Sequence, residues 1–325
     1  MVGPRAPTGA DVTVNEMEDR LGSSTTRSFL VLSHTGRPES RHAALDAVRN
    51  LLAAGVVPVL LAAEHADLSS ESPDIARAAV LDRDCALGDI ELALVLGGDG
   101  TILRSAEIVR GTGIPLLGVN LGHVGFLAEA EREELGEVVR RAIARDYVVE
   151  ERMAIDAVVI GADGHELHRT WALNEATVEK STPGKMVEVV IEVGGRPLST
   201  FGCDGVVMAT PTGSTAYAFS AGGPVVWPNI DAMLLVPLSA HALFARPLVV
   251  APETVLAVEV LETSASPGIL WCDGRRSIDL APGARVEVRR SETSVRLARL
   301  SQAEFTDRLV HKFDLPVSGW RGARS

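Results

Sequence analysis

The stretch LALVLGGDGTILRSAE, residues 92–107, decides the fold. Leu92 to Leu96 is an apolar run with the length of a buried strand, and a helical pattern begins at Thr101. Gly97, Gly98, Asp99 and Gly100 stand between them. A strand that passes through a glycine turn into a helix is half of a crossover, and such crossovers pair strands in parallel.

The pattern repeats outward. SFLVLSH (28–34) reads as a buried strand, followed by a helix in SRHAALDAVRNLLAAG, where Ala44, Val48, Leu51 and Leu52 recur at helical spacing and Gly55 is the stop. VPVLLA (57–62) and PLLGV (115–119) are further strands, a helix runs from Thr101 to Arg110, and EREELGEVVRRAIAR closes the unit as a charged helix. These elements predict an α/β domain with a parallel, doubly wound sheet over 27–148. Residues 1–26 lack periodicity and read as a mobile tail. From 149 to 298 the texture changes to strand–turn–strand units with Asp-Gly or Gly-Gly turns, which predicts a mainly antiparallel β domain. Residues 299–325 read as a short helix and coil that return to pack on the α/β domain.

Composition narrows the function. A net charge of −12 argues against nucleic acid or an anionic membrane as partner. The three cysteines, Cys85, Cys203 and Cys272, form no CxxC pair, which fits a reducing compartment and a cytoplasmic protein. No apolar run approaches the ~20 residues of a membrane span, and no signal peptide is read at the N-terminus.

Ligands of open parallel sheets sit beyond the carboxyl ends of the strands, which places Gly97–Gly100 at the mouth of a cleft. Glycines at 97, 98 and 100 permit positive φ and close approach of a ligand, and the helix from Thr101 offers free N–H groups to phosphate. Arg104 stands in the first helical turn, where a cation opposes the helix dipole and is better explained by a nearby phosphate. Asp99 would repel phosphate. Two chemistries resolve this: a hydroxyl that donates to Asp99, or a Mg²⁺ that bridges it to phosphate. Both point to phosphoryl transfer onto an alcohol.

Three further stretches carry a resemblance: NLGHVGFLAE (120–129), LNEATVEK (173–180) and FGCDGVVMATPTGSTAYAFSAGGPVV (201–226). With the Gly-Gly-Asp-Gly-Thr loop they make the chain similar to bacterial NAD kinases, and FTDRLVHKFDLPVSGWRG at the end resembles the actinobacterial members. The fold implied is that shared by NAD kinases and diacylglycerol kinases. The activity implied is transfer of a phosphoryl group from ATP or polyphosphate to the adenosine ribose 2′-hydroxyl of NAD, giving NADP, with Mg²⁺ or another divalent cation arriving with the nucleotide.

The resemblance makes Asp99 the catalytic carboxylate, with Gly100 beside it in the NAD site and Arg104 near a phosphate; Gly97, Gly98, Gly100 and Thr101 are the phosphate loop that the residues themselves suggest. Asn174, Glu175, Lys185, Asp204 and the run Thr215, Ala216, Tyr217, Ala218, Phe219, Ser220 would contact the dinucleotide, and no residue is assigned as a metal ligand. Cys203 stands where the family has the first glycine of a Gly-Asp-Gly, which is compatible with the motif if its φ is negative. Asn174 and Glu175 can face one ligand only where their strand ends, because side chains alternate along a strand. The family also suggests a homodimer or homotetramer. A lipid kinase of the diacylglycerol type and a non-catalytic NAD(P) sensor are the alternatives; the latter has no need of Asp99.

Overall fold

A computed structural model describes residues 27–122, 125–131, 134–300 and 305–317. The tail expected over 1–26 lies outside them, as do 301–304 and 318–325 of the C-terminal segment.

The first unit is an eight-stranded sheet built from β1 (Ser28–Ser33), β2 (Val57–Leu60), β3 (Ala79–Val80), β4 (Ile90–Leu96), β5 (Leu116–Asn120), β6 (Ala130–Glu131) and β7 (Val148–Arg152), together with a last strand from the far end of the chain. Its helices are α1 (Pro38–Ala53), α2 (Ala62–Leu68), α3 (Asp99–Val109) and α4 (Leu135–Ile143). Strand β1 pairs in parallel with both β2 and β4, so the chain winds outward in opposite directions from β1 and β4. That reversal is where open α/β sheets form their ligand crevice. Ala43, Ala44, Ala47, Val48 and Leu51 of α1 share one apolar cluster with Phe29, Val31, Leu94 and α4. Ile102, Leu103, Ala106 and Val109 of α3 share another with Leu30, Leu32 and Val95. The sheet is thus covered on both faces, which is why β1 is buried along its whole length.

The second unit follows as β8 (Ile155–Ile160), β9 (Glu166–Ala172), β10 (Glu175–Lys180), β11 (Val187–Val193), β12 (Arg196–Cys203), β13 (Gly205–Ala209), β14 (Met233–Leu238), β15 (Leu248–Val250), β16 (Leu256–Val260), β17 (Gly268–Cys272), β18 (Arg276–Leu280) and β19 (Arg285–Arg290). They form two six-stranded antiparallel sheets, in the orders β15-β14-β13-β10-β17-β18 and β12-β11-β16-β19-β8-β9. One cluster, including Ile155, Val178, Val189, Met208, Leu235, Val258 and Val286, draws on both sheets, so they pack face to face as a sandwich. Cys203 ends β12 with negative φ and its side chain fills this core, so cysteine fits where the motif has glycine.

Two features depart from the sequence reading. Strand β7 and the last strand, β20 (Val295–Arg299), lie largely within the 149–298 span assigned to the second unit, yet both hydrogen-bond into the first sheet. Alternation identifies a strand but not its partner; here buried Val295, Leu297 and Ala298 cover the edge that β5 would otherwise expose. The C-terminal helix α6 (Phe305–Phe313) also touches both units. Its Phe305 and Phe313 rings lie 5.9 Å from Phe126, while Phe313 stacks on Phe219 and Phe305 meets Trp227 edge-on.

Candidate active site

Asp99 is the first residue of α3 and does not cap its own helix. Its Oδ2 accepts the Phe126 N–H and its Oδ1 the Leu127 N–H, each at 3.1 Å. The loop after β5 therefore fixes the rotation of the carboxylate, while each oxygen keeps a further lone pair. A Cβ at Gly125 would fall 2.3 Å from Asp99 Oδ1, so glycine there is a condition of the clamp. Of the three loop glycines only Gly97 has positive φ, at 155°, and a Cβ on it would strike the Thr101 hydroxyl. Gly98 and Gly100 do not adopt positive φ, contrary to the expectation from sequence. A Cβ at either would meet nothing within 4 Å, so the protein itself does not demand glycine there. A ligand lying along the start of α3 would.

Arg104 is about half exposed and faces Glu64 of α2 at 3.7 Å. Glu64 is buried beside the end of β1, where one of its oxygens accepts the Ser33 N–H. Burial pushes its carboxyl up to about 7, with the Ser33 N–H and Arg104 pulling the other way. Its second oxygen has no hydrogen-bond partner. Arg104, on the helix after β4, is thus held against a carboxylate on the helix after β2, over the crevice between β1 and β4.

The second part of the site is a bend. Strand β9 stops at Ala172, Asn174 occupies the bend and Glu175 begins β10, which frees this pair from strict alternation. Leu173 is buried in the same cluster as Ile102, Leu103 and Leu127, which places the bend against α3 and the loop that holds Asp99. Asp273 fixes the bend by accepting the Leu173 N–H at 3.0 Å and the Asn174 N–H at 2.7 Å, and Arg276 pairs with it at 2.9 Å. Burial raises the carboxyl of Asp273 above its usual range, against the pull of these donors. The guanidinium groups of Arg110 and Arg276 both lie over the Trp171 ring, 4.0 and 4.8 Å from its centroid. Arg275 and Arg276 both reach Glu107 of α3, which ties the two units together beside the site.

Glu175 is buried, and burial followed by the charge of Asp273 pushes its carboxyl up to about 8. It lines a cavity of about 320 Å³ with Thr177, Glu179, Tyr217, Trp271 and Asp273. The Tyr217 N–H donates to Glu175. The segment 212–220 forms a 3₁₀ turn, Thr212–Thr215, and the single-turn helix α5, Tyr217–Ser220. Gly213 packs so closely on the bend that a Cβ would lie 2.0 Å from the Asn174 carbonyl oxygen. Tyr217 therefore faces the cavity, the Ala218 side chain is buried in a core cluster, and Phe219 turns to Phe313. The Thr215 hydroxyl donates back to the Thr212 carbonyl, Ala216 caps α5, and Ser220 is exposed.

Two of the predicted residues are elsewhere. Asp204 pairs with Lys180 at 2.5 Å, beside the end of β10 opposite Glu175, and this partner holds its carboxyl below the usual range. Exposed Lys185 lies in the turn beyond, 3.4 Å from the Ala265 carbonyl oxygen. Glu175 and Lys180 stand five residue steps apart along β10, roughly 16 Å. Asp273 sits in a hairpin turn and Glu64 in a short helix, and the roles of both depend on partners distant in sequence.

The ATP-NAD kinase N-terminal domain matches residues 37–147 and the C-terminal domain of the same family matches 173–300. The chain is 61% identical over 297 residues to an NAD kinase of Leifsonia xyli, covering 91% of this chain and 97% of that one. It is 58% identical to NAD kinase 2 of Streptomyces coelicolor, covering 93% and 99%, and 50% identical to an NAD kinase of Mycobacterium tuberculosis, covering 91% and 98%. An NAD kinase from Archaeoglobus fulgidus solved with ATP superposes with a TM-score of 0.67 at 26% identity, covering 89% of this chain and 99% of that one. Yeast NADH kinase solved with NADH shares the fold, with a TM-score of 0.80 at 22% identity over 91% and 90% of the two chains.

Proposed function

The chain belongs to the NAD kinase family and catalyses phosphoryl transfer from ATP to NAD, giving NADP, and from that premise we propose the roles of its residues. Asp99 orients the ribose 2′-hydroxyl and accepts its proton as the oxygen bonds to the γ-phosphorus and ADP leaves. The observation that carries this assignment is the clamp: two backbone N–H groups hold the carboxylate at the start of a helix whose first residues offer no side-chain obstruction.

The transition state of such transfers is loose, with charge spread over the transferred group. Positioning can supply on the order of 7–11 kcal/mol, whereas a positioned base contributes ~10²–10⁴-fold. Orientation of the hydroxyl is thus the larger part of Asp99's work. The N-terminal N–H groups of α3 and Arg104, steadied by Glu64, receive the donor phosphates. A divalent cation carried by the nucleotide neutralises phosphate charge; the described residues group no three ligating side chains that would hold one unaided. Asn174, Glu175 and Tyr217 receive the dinucleotide. A carboxyl titrating near 8 is mostly uncharged at neutral pH, so Glu175 lines the cavity without repelling a diphosphate, and its hydroxyl can donate.

Lys180 ends β10 away from Glu175, with Asp204 paired to it and Lys185 in the turn beyond, although the charge of Asp204 still reaches Tyr217. We assign them to the site of a second copy in a homodimer or homotetramer. Polyphosphate is a further donor in this reading, and the compartment is the cytoplasm; no described helix is long and apolar enough to cross a membrane. The test incubates purified protein with NAD, MgCl₂ and either ATP or polyphosphate, and detects NADP with an NADP-specific dehydrogenase. NADP should form with ATP. Its absence in folded protein that binds NAD would contradict the assignment.

A further inference from the structure

A cavity of about 550 Å³ lies between β7, the end of β20 and α6. Arg145, Arg152, Arg299 and Arg308 line it, against Asp146 and Glu150. Asp146 is paired with Arg141, Arg145 shares Glu91 with Arg27, and Glu129 and Glu150 serve Arg152, Arg299 and Arg308. Among the described residues these are six arginines and four carboxylates, an excess of two positive charges in a chain whose net charge is −12. The side chains of Arg152 and Arg299 are more than nine-tenths buried. Each carries one nitrogen without an acceptor, Nε of Arg152 and Nη2 of Arg299, both shut off from solvent, so that an anion would reach them only as the side chains turn. Burial, and then the charge of Arg299, lower Arg152 to about 10, as expected where cations crowd without enough counter-charge. Arginine presents planar paired donors suited to phosphate oxygens.

We propose that this cavity is a second anion site, separate from the phosphoryl-transfer centre, that takes a diphosphate group. Its wall is joined to the catalytic loop by hydrogen bonds. Arg299 donates to the Leu127 carbonyl at 3.0 Å, and Arg308 to the carbonyls of Phe126 at 3.4 Å and Ala128 at 2.6 Å. The N–H groups of Phe126 and Leu127 are the two that hold Asp99. A diphosphate that drew Arg299 or Arg308 toward the cavity would alter the clamp, so occupancy is communicated to the carboxylate through two residues.

The experiment titrates pyrophosphate, and ADP in a parallel series, into the full chain by calorimetry. The variants are Val148→Glu, Val148→Gln, Arg152→Met and Arg104→Ala. Val148 is exposed at the cavity wall, so its replacement by glutamate adds opposing charge without disturbing a buried group. Wild type should bind pyrophosphate at two classes of site. Val148→Glu and Arg152→Met should each weaken one class at least tenfold, Val148→Gln should not, and Arg104→Ala should weaken the other. Binding of ADP to the same class would mean that a nucleotide's diphosphate is accepted; exclusion of ADP would confine the site to the free anion. Binding indifferent to Val148→Glu and Arg152→Met would overturn the proposal, whereas a single class weakened by both would uphold the cavity and count against the Arg104 site. In a second arm, pyrophosphate at saturating NAD and ATP should change kcat at least twofold in wild type but not in Val148→Glu; an equal change in both would overturn the link to Asp99. This arm and the Arg104→Ala variant rest on the kinase assignment, whereas Val148→Glu and Arg152→Met test the cavity by itself, so the two can fail separately.

Discussion

Asp99 and Asp273 are built alike and differ in what surrounds them. Each carboxylate receives two consecutive backbone N–H groups from a bend in another segment: Phe126 and Leu127 for Asp99, Leu173 and Asn174 for Asp273. The Asp273 side chain is 1% exposed and is paired with Arg276. Asp99 is partly open, at the start of a helix beside two unobstructed glycines. The same pair of donors therefore yields a structural brace where an arginine completes the charge and water is excluded. On the proposed assignment it yields an oriented reactive group where the carboxylate stays partly exposed.

The largest effect on this contrast should come from Asp273→Ala. The substitution leaves two buried N–H groups unpaired and removes a buried partner of Arg276, a loss of about 3–5 kcal/mol. Chemical denaturation would read it, and KM for NAD should rise as the bend at Asn174 loosens. Unchanged stability would show that the two carboxylates are not the pair described. Gly213→Ala comes next. A Cβ 2.0 Å from the Asn174 carbonyl oxygen forces the 3₁₀ turn off the bend, which should cost ~1–3 kcal/mol and raise KM for NAD more than it lowers kcat.

The pH dependence of stability sharpens the comparison further. Glu64 and Glu175 titrate in the folded chain near 7 and 8, above the ordinary carboxyl value. Between these values and the unfolded pKa the folded chain holds more protons, so stability falls as pH rises from about 5 to 8. Thermal melts should show Tm declining across this window, with a shallower decline in Glu175→Gln. A flat profile in wild type would contradict the burial-driven shifts. The smallest effect should be that of Lys180→Ala. Its pair with Asp204 is partly exposed, so the stability change in the monomer should stay within ~1 kcal/mol.

What was legible in the sequence follows from how local each feature is. Strand β4, the turn at Gly97 and helix α3 are adjacent in the chain, so their order alone announces a crossover and an anion site. The Asn174-Glu175 pair was legible as a strand end because alternation cannot otherwise serve both residues. The side to which β20 belongs was not, since VRLAR reads as a strand in either unit. Asp273 precedes Gly274 in a turn where both have positive φ, so the hairpin already explained an aspartate there and hid its second task. Glu64 lies in a seven-residue helix without a side-chain cap, and its partners Ser33 and Arg104 are each more than 30 residues away. The arginines around the second cavity come from positions as far apart as 145 and 308, and only folding brings them together.

The most direct test of the central claim compares kcat for NADP formation in wild type and Asp99→Asn, at saturating NAD and ATP, with KM for NAD measured alongside. An amide in place of the carboxylate keeps the shape but has lost the ability to orient and deprotonate the hydroxyl. The account predicts a fall in kcat of ~10²–10⁴-fold with KM little changed. A variant within threefold of wild type would show that the carboxylate clamped by Phe126 and Leu127 does not serve the chemistry.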